Sequence, residues 1–289
     1  MSTDRVRWVV AGDEIALDTG VLIGILNVTP DSFSDGGEHA DPEDAVAHGL
    51  SLVADGAAIV DVGAESTRPG AKPVELDEEL RRLMPVVDGL VDAGVAVSVD
   101  TYKPEVATRA LEAGAAVVND VTGFRNPQMV ETVAATECGV IVMHMLGRPI
   151  DMQVDPSYDD VVAEVEDYLL ARTDLLARSG VSRDRIAIDP GIGFGKRMHH
   201  NLALLAALDR LASHGLPVMI GTSRKSFLGK MIAGDSREGR DRATAITTAM
   251  GFASGARLFR VHDVAKSRDA LRIAGAIVTG QEWDEWSQG

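Results

Sequence analysis

The sequence predicts an α/β chain folded as a single (β/α)8 TIM barrel, with an N-terminal β-hairpin plugging the barrel bottom. Three observations carry that expectation. Eight short apolar runs recur along the 289 residues, helical patterns alternate with them, and each run stops at polar or ionisable residues. Strands buried on both faces read as unbroken apolar runs and belong to parallel sheets covered by helices. Eight units in steady alternation favour closure over an open, doubly wound sheet. In closed barrels the chemistry sits at the strand C-terminal ends, so the polar stops mark the working face.

Residues 7–12 and 14–17, flanking Asp13, read as the hairpin. The first barrel strand is expected at 22–26 and stops at Asn27; the second, at 58–60, stops at Asp61. Strands at 96–99 and 116–118 run into Asp100 and into Asn119 and Asp120. Those at 140–143 and 186–188 meet His144 and Asp189. The last two, 218–220 and 258–259, lead to Ser223 and Lys225, and to Arg260 and His262. Between them, apolar residues at helical spacing place helices at 42–54, 76–92, 104–112, 128–137, 158–178, 201–213, 243–253 and 266–277. Asp41 before Pro42 supplies a cap with Pro at the first helical position, and Lys103-Pro104 starts a helix similarly. Several helices end at Gly, which takes the left-handed turn before the next strand. With no Pro/Ser-rich linker or charge block, one domain spans 1–289, with a hairpin at 1–20 and a polar tail at 281–289.

The formal net charge of -16 disfavours a nucleic-acid partner, which would need a basic surface. It leaves room for an anionic small substrate, because a few cations in a cleft reverse the local field. The single cysteine, Cys138, sits in apolar surroundings and reads as a buried, inert thiol. No run approaches the ~18 apolar residues needed to cross a membrane. The N-terminus lacks the apolar core of a secretory leader, so a soluble cytoplasmic protein is expected.

Two loops stand out. GILNVTPDSFSDGG (24–37) follows the first strand without a helix, and its Gly, Pro and small polar residues suit a lid over the barrel mouth. It carries Phe33 among Asp, Ser and Gly. GAESTRPGAKP (63–73) follows the second strand and offers Thr67, Arg68 and a turn at Pro69-Gly70. Both segments resemble the signature motifs of the dihydropteroate synthase family, folate-pathway enzymes built on a pterin-binding barrel. The resemblance continues, in the family's order, through SVDT (98–101), VND (118–120), MHM (143–145), DPGIGFGK (189–196), GTSRKSFLG (221–229) and RVHDV (260–264). Ala64 departs from it, standing where the family commonly has a second Gly.

The resemblance implies condensation of 6-hydroxymethyl-7,8-dihydropterin diphosphate with 4-aminobenzoate, giving 7,8-dihydropteroate and pyrophosphate. It assigns pterin binding to Asp100, Asn119, Met143, Asp189 and Lys225, with Asp100, Asp189 and Lys225 serving catalysis. A carboxylate accepts two adjacent N–H bonds from a planar edge, which suits Asp189; Asn119 both donates and accepts. Asn27, Thr67, Arg260 and His262 are assigned to the diphosphate, and Arg260 and His262 alternate by two and so share a side. Asn27 is also the implied ligand of Mg²⁺, an ion that keeps most of its waters. Phe33, Thr67, Arg68, Pro69, Phe194 and Ser226 are assigned to aminobenzoate, whose ring needs apolar walls. The partners implied are these small substrates and a second copy of the chain, as a homodimer. Plainer readings stand beside these: strand-end Asp residues capping backbone, a core histidine at 262, and a solvated helix face for ELDEELRR (75–82). A corrinoid methyltransferase on the same barrel would have no use for Lys225 with Arg260 and His262, and a non-catalytic paralogue would show degraded motifs.

Overall fold

A computed structural model describes residues 6–29, 41–67, 70–233 and 235–280. Strands β1 (Trp8–Val10) and β2 (Asp13–Ile15) pair antiparallel. The turn lies at Ala11 (φ 51°) and Gly12 (φ 89°), not at Asp13, which is the first residue of β2. Two positive-φ residues match the right-handed twist of the flanking strands, and this overrides the turn preference of Asp13.

The barrel strands are β3 (Val21–Asn27), β4 (Ile59–Gly63), β5 (Val97–Asp100), β6 (Val117–Asp120), β7 (Gly139–Met143), β8 (Ile186–Asp189), β9 (Met219–Ile220) and β10 (Leu258–Val261). All pair in parallel, in the order β8-β7-β6-β5-β4-β3-β10-β9. A parallel bridge between Ile188 and Val218 spans the remaining seam, where the Ile188 N–H donates to the Pro217 carbonyl at 2.9 Å. The ring is thereby closed. Most strands extend one or two residues beyond the apolar runs, so Asp61, Asp100, Asn119, Asp120 and Asp189 lie inside strands.

Helices α1 (Pro42–Ala54), α2 (Leu76–Asp92) and α3 (Pro104–Glu112) have the expected bounds. Helix α4 (Pro127–Ala134) starts one residue early because Asn126 caps it, accepting from the Gln128 N–H. In α5 (Val161–Arg178) the start moves from 158 to 161, where the Asp160 side chain accepts two N–H groups. The expected helix 201–213 is two pieces, α6 (Met198–Ala206) and α7 (Leu208–Ala212), separated at Ala207. A short helix, α8 (Ser226–Gly229), was not expected. Helix α9 (Arg237–Ala253) begins six residues before the apolar pattern, capped by Ser236, and α10 (Val264–Thr279) is capped by Asp263.

Outward strand residues such as Leu26, Val60 and Val62 pack against Leu52, Leu83, Val87 and Leu90 of the helices. Inside, Val21, Ile23, Ile59, Val117, Ile141, Ala187, Met219 and Leu258 form an apolar floor with Trp8 and Val10 of the hairpin. The Trp8 indole N–H donates to the Arg185 carbonyl at 3.1 Å, and the buried Arg185 guanidinium donates to the Cys138 and Val133 carbonyls. The hairpin thus plugs the bottom. Cys138 is buried there, and burial pushes its thiol pKa up.

Candidate active site

Two residues further along the same strands, the inward positions change character. Above Ile59 comes Asp61, above Val117 Asn119, above Ile141 Met143, above Ala187 Asp189, and above Leu258 Arg260. Strand register sets them side by side: Asp61 beside Ser98, Asp100 beside Asn119, Met143 beside Asp189. Because the side-chain period of a strand is two, one step along each inward column turns an apolar layer into a polar one.

Arg260 organises this layer. Its Nε donates to Asp61 Oδ2 at 2.5 Å and its Nη2 to Asp100 Oδ2 at 2.7 Å. Asn119 Nδ2 donates to the same Asp61 oxygen at 3.3 Å. Four buried oxygens, Asp61 Oδ1, Asp100 Oδ1, Asn119 Oδ1 and Ser98 Oγ, have no partner among the described residues. Burial, reinforced by Asp61, Glu79 and Asp120 and opposed by Arg260, pushes the Asp100 carboxyl up to about 7. Burial likewise raises Asp189, against the pull of Lys225.

Asp189 Oδ1 accepts the Gly191 N–H at 2.7 Å. Gly191 has φ +66°, and a Cβ there would fall 1.9 Å from the His144 carbonyl oxygen, so the loop after β8 lies directly on the end of β7. Lys196 holds it there. Its buried Nζ donates to the carbonyls of Phe194 (3.0 Å) and His144 (3.3 Å) and lies 2.9 Å from His144 Nδ1. Burial, with Lys196 beside it, lowers the His144 pKa to about 2, so the ring is neutral. Phe194 then packs with Met143, Met145, Met152, Val121 and Tyr102 as an apolar wall. The Lys225 Nζ sits 4.5 Å from the Phe194 ring centroid and donates to the Ile192 carbonyl. Burial, with Arg260 nearby, brings the Lys225 pKa down to about 8, and Asp189 opposes the fall.

The loop after β4 is anchored at its base. Glu65 accepts from Tyr102 Oη (2.6 Å), Lys103 Nζ (2.6 Å) and the Val74 N–H (3.1 Å). Lys103 also donates to Glu79, which accepts the Thr101 hydroxyl at 2.7 Å. Glu79 is 1% exposed. The reading of ELDEELRR as a solvated face therefore fails at this residue: with Leu83, Val86 and Leu90 it lies on the apolar stripe of α2, and that spacing was the available signal.

Of the sequence-derived residues, the structure gathers Asp100, Asn119, Met143, Asp189, Phe194, Lys225 and Arg260 around the upper barrel interior. Asn27 ends β3 half-buried on the inward face, Thr67 is half-buried in the second loop, and Ser226 is exposed at the start of α8. His262 follows β10, with Nδ1 2.8 Å from Ser223 Oγ. Arg260 Nε and Nη2 pair with Asp61 and Asp100, because two buried carboxylates require a cation. Phe33, Arg68 and Pro69 lie outside the described residues, as do most of the first loop and the tail. Ser98, Glu65, Tyr102 and Lys103 were missed as site-forming residues, and Asp61 and Ser223, marked only as polar stops of their strands, were given no role. Asp61 was legible as the inward neighbour of Ile59, two positions along.

A family model described as pterin binding enzyme matches residues 23–262. The chain belongs to the pterin-binding enzyme family. The dihydropteroate synthase of Mycobacterium leprae is 48% identical over 88% of this chain and 92% of its own length. Among solved structures, Xanthomonas albilineans dihydropteroate synthase with 4-aminobenzoic acid superposes with TM-score 0.88 at 45% identity, covering 94% of this chain and 98% of that one. The Burkholderia cenocepacia enzyme, complexed with 7,8-dihydropteroate, gives 0.86 at 41% identity, covering 95% and 97%. The chain is thus an enzyme of the dihydropteroate synthase kind within this family, with small-molecule substrates. Among the described residues no helix is long and apolar enough to cross a membrane.

Proposed function

We propose that this site condenses 6-hydroxymethyl-7,8-dihydropterin diphosphate with 4-aminobenzoate, forming 7,8-dihydropteroate and releasing pyrophosphate. The observation that carries the reading is the set of buried acceptor oxygens on Asp61, Asp100 and Asn119 that lack donors among the described residues. A buried acceptor without a donor is costly. The amino group and ring N–H groups of a dihydropterin supply the missing donors, and Lys225 supplies the one donor its carbonyl side needs. Met143 and Phe194 offer apolar surface to the ring faces.

In the reaction the C–O bond to the diphosphate breaks and the electron pair leaves with pyrophosphate. Positive charge spreads from the methylene into the pterin ring, where the carboxylates of Asp100 and Asp189 stabilise it as it develops. The arylamine nitrogen then forms the new C–N bond and, made acidic by bonding, loses a proton to solvent or to the departing pyrophosphate. No dedicated base is needed. His262, steadied by Ser223, serves the diphosphate with Asn27, Thr67 and Arg260, whose Nε and Nη2 also pair with Asp61 and Asp100. Phe194, Ser226 and Thr67 are the described part of the aminobenzoate site, and Phe33, Arg68 and Pro69 are assigned to the rest.

Mg²⁺ belongs to this proposal, with the Asn27 side-chain oxygen as its protein ligand. No group of three or more His, Cys, Asp or Glu residues able to hold a metal occurs among the described residues. That donor set fits an ion that takes its other ligands from diphosphate and water, and when bound it neutralises leaving-group charge. We extend the proposal to a cytoplasmic homodimer of one-domain chains. Its support is the exposed apolar face of α9 and α10, formed by Ile246, Met250, Ile273 and Ile277, and the single buried cysteine. Pyrophosphate release, assayed with both substrates and with each omitted, tests the function. Release that ignores aminobenzoate overturns it.

A further inference from the structure

Residues 221–225 join β9 to α8, and each of three consecutive side chains in this segment meets a different partner. Ser223 Oγ accepts the His262 backbone N–H at 3.0 Å and lies 2.8 Å from its Nδ1. Lys225 reaches the Ile192 carbonyl and the Phe194 ring. Arg224, between them, turns the other way onto α9. Its guanidinium forks onto Asp241, Nε to Oδ1 at 2.6 Å and Nη2 to Oδ2 at 3.0 Å. Its N–H donates to Thr244 Oγ1 at 3.2 Å, and its carbonyl accepts from Arg240 Nη1 at 3.4 Å. Two residues before Arg224, Thr222 Oγ1 lies 2.7 Å from Thr247 Oγ1.

Arg224 also has φ 57°, a left-handed conformation that non-glycine residues avoid. Such strain persists only where the surroundings over-determine it. Here α9 holds the side chain, the N–H and the carbonyl of one residue. Attachment of α9 to the barrel does not need this arrangement. Asp241 is 5% exposed, and an apolar pair of similar volume would hold the helix at no electrostatic cost. What the fork adds is a fixed orientation, since two parallel N–H···O bonds define a plane.

We infer that Asp241 is a positioning residue: by clamping Arg224 it sets Lys225 toward the pterin and Ser223 beneath His262. This rests on the function proposed above for the site. Asp241 touches neither substrate and acts through Arg224.

The test is Asp241→Asn, which keeps the shape and removes half of the fork. Aminobenzoate-dependent pyrophosphate release by the wild type is measured first, since its failure would overturn the reading of the site rather than this inference. At a temperature where circular dichroism shows both proteins folded, the variant is expected to lose at least tenfold in kcat and to gain in KM for the pterin diphosphate. The KM for aminobenzoate should change least. The alkaline limb of the kcat/KM profile, expected near pH 8 from Lys225 with Asp189, Arg260 and Lys196 facing it, should move upward as the ammonium leaves its buried seat. Asp241→Glu should recover part of the loss. Arg224→Lys, which keeps the charge but not the fork, is the second variant and should shift the same quantities in the same direction. A purely structural clamp would lower Tm and leave kcat and the alkaline limb at wild-type values, and that result in either folded variant overturns the inference.

Discussion

The lower and upper halves of the barrel interior are built on the same eight strands and obey opposite rules. Below, Ile23, Ile59, Val117, Ile141 and Leu258 close on Trp8 as an apolar layer. Above, one step along the same columns, lie Asp61, Asp100, Asn119, Asp189 and Arg260, with acceptor oxygens left unpaired. The difference separates two duties. The floor holds the ring shut, and that surplus lets the upper layer keep carboxylates out of water, where they are costly until a ligand supplies donors.

Two substitutions of similar size would break this comparison most sharply. Trp8→Ala should lower stability by about 3–5 kcal/mol in denaturant titration, as core aromatic truncations do, and leave kcat/KM unchanged where the protein is folded. Arg260→Met should cost about 3–5 kcal/mol as well, because it strands Asp61 and Asp100 as uncompensated buried charges. Unlike Trp8→Ala, it should also abolish pterin binding. If Arg260→Met left the ligand-free stability untouched, Arg260 would serve the diphosphate alone and not as counter-ion of Asp61 and Asp100.

Within the upper layer, Asp189→Asn should weaken pterin binding by about 1.5–3 kcal/mol in calorimetry, since the amide can set a donor against a donor. Unchanged affinity would remove Asp189 from the pocket. The pH profile follows in size. Asp100 accepts as a carboxylate, so its raised pKa of about 7 gives kcat/KM an acid limb there, and activity rises as pH climbs through it. Lys225 donates as an ammonium, so activity falls as pH passes about 8. A profile flat from pH 5 to 9 would contradict both assignments. The smallest effect belongs to the lower half. Ala11→Gly should stabilise the hairpin by roughly 0.5–1 kcal/mol, because Ala11 sits at φ 51° where glycine carries no Cβ penalty.

Much of this architecture was legible from the chain itself, and for definite reasons. Helices α1 and α3 announce their starts through Asp41-Pro42 and Lys103-Pro104, and the Gly that follows each helix marks its end, because capping and left-handed turns are local chemistry. The apolar strand runs are legible because both faces of a barrel strand are buried. Asp100, Asn119, Asp189 and Lys225 were legible through motifs standing at strand ends. Other features were not. The start of α9 hid behind the charged stretch before its apolar pattern, and α8 is too short to show a period.

What tertiary structure alone decided is partnership. Alternation by two puts Arg260 on the inward face, but only the closed ring brings it to Asp61, 199 residues away in sequence, and so makes it a counter-ion to a buried carboxylate. Glu79 reads as one acid among several until Lys103 and Thr101 arrive from another strand end to bury it. Arg224 reads as one more cation beside Lys225 until Asp241 fixes it on α9. Local sequence sets secondary structure and the face each residue occupies, because those depend on neighbours a few residues apart. The charge a buried side chain keeps, and what it can bind, depend on groups that only the packed barrel brings within hydrogen-bonding distance.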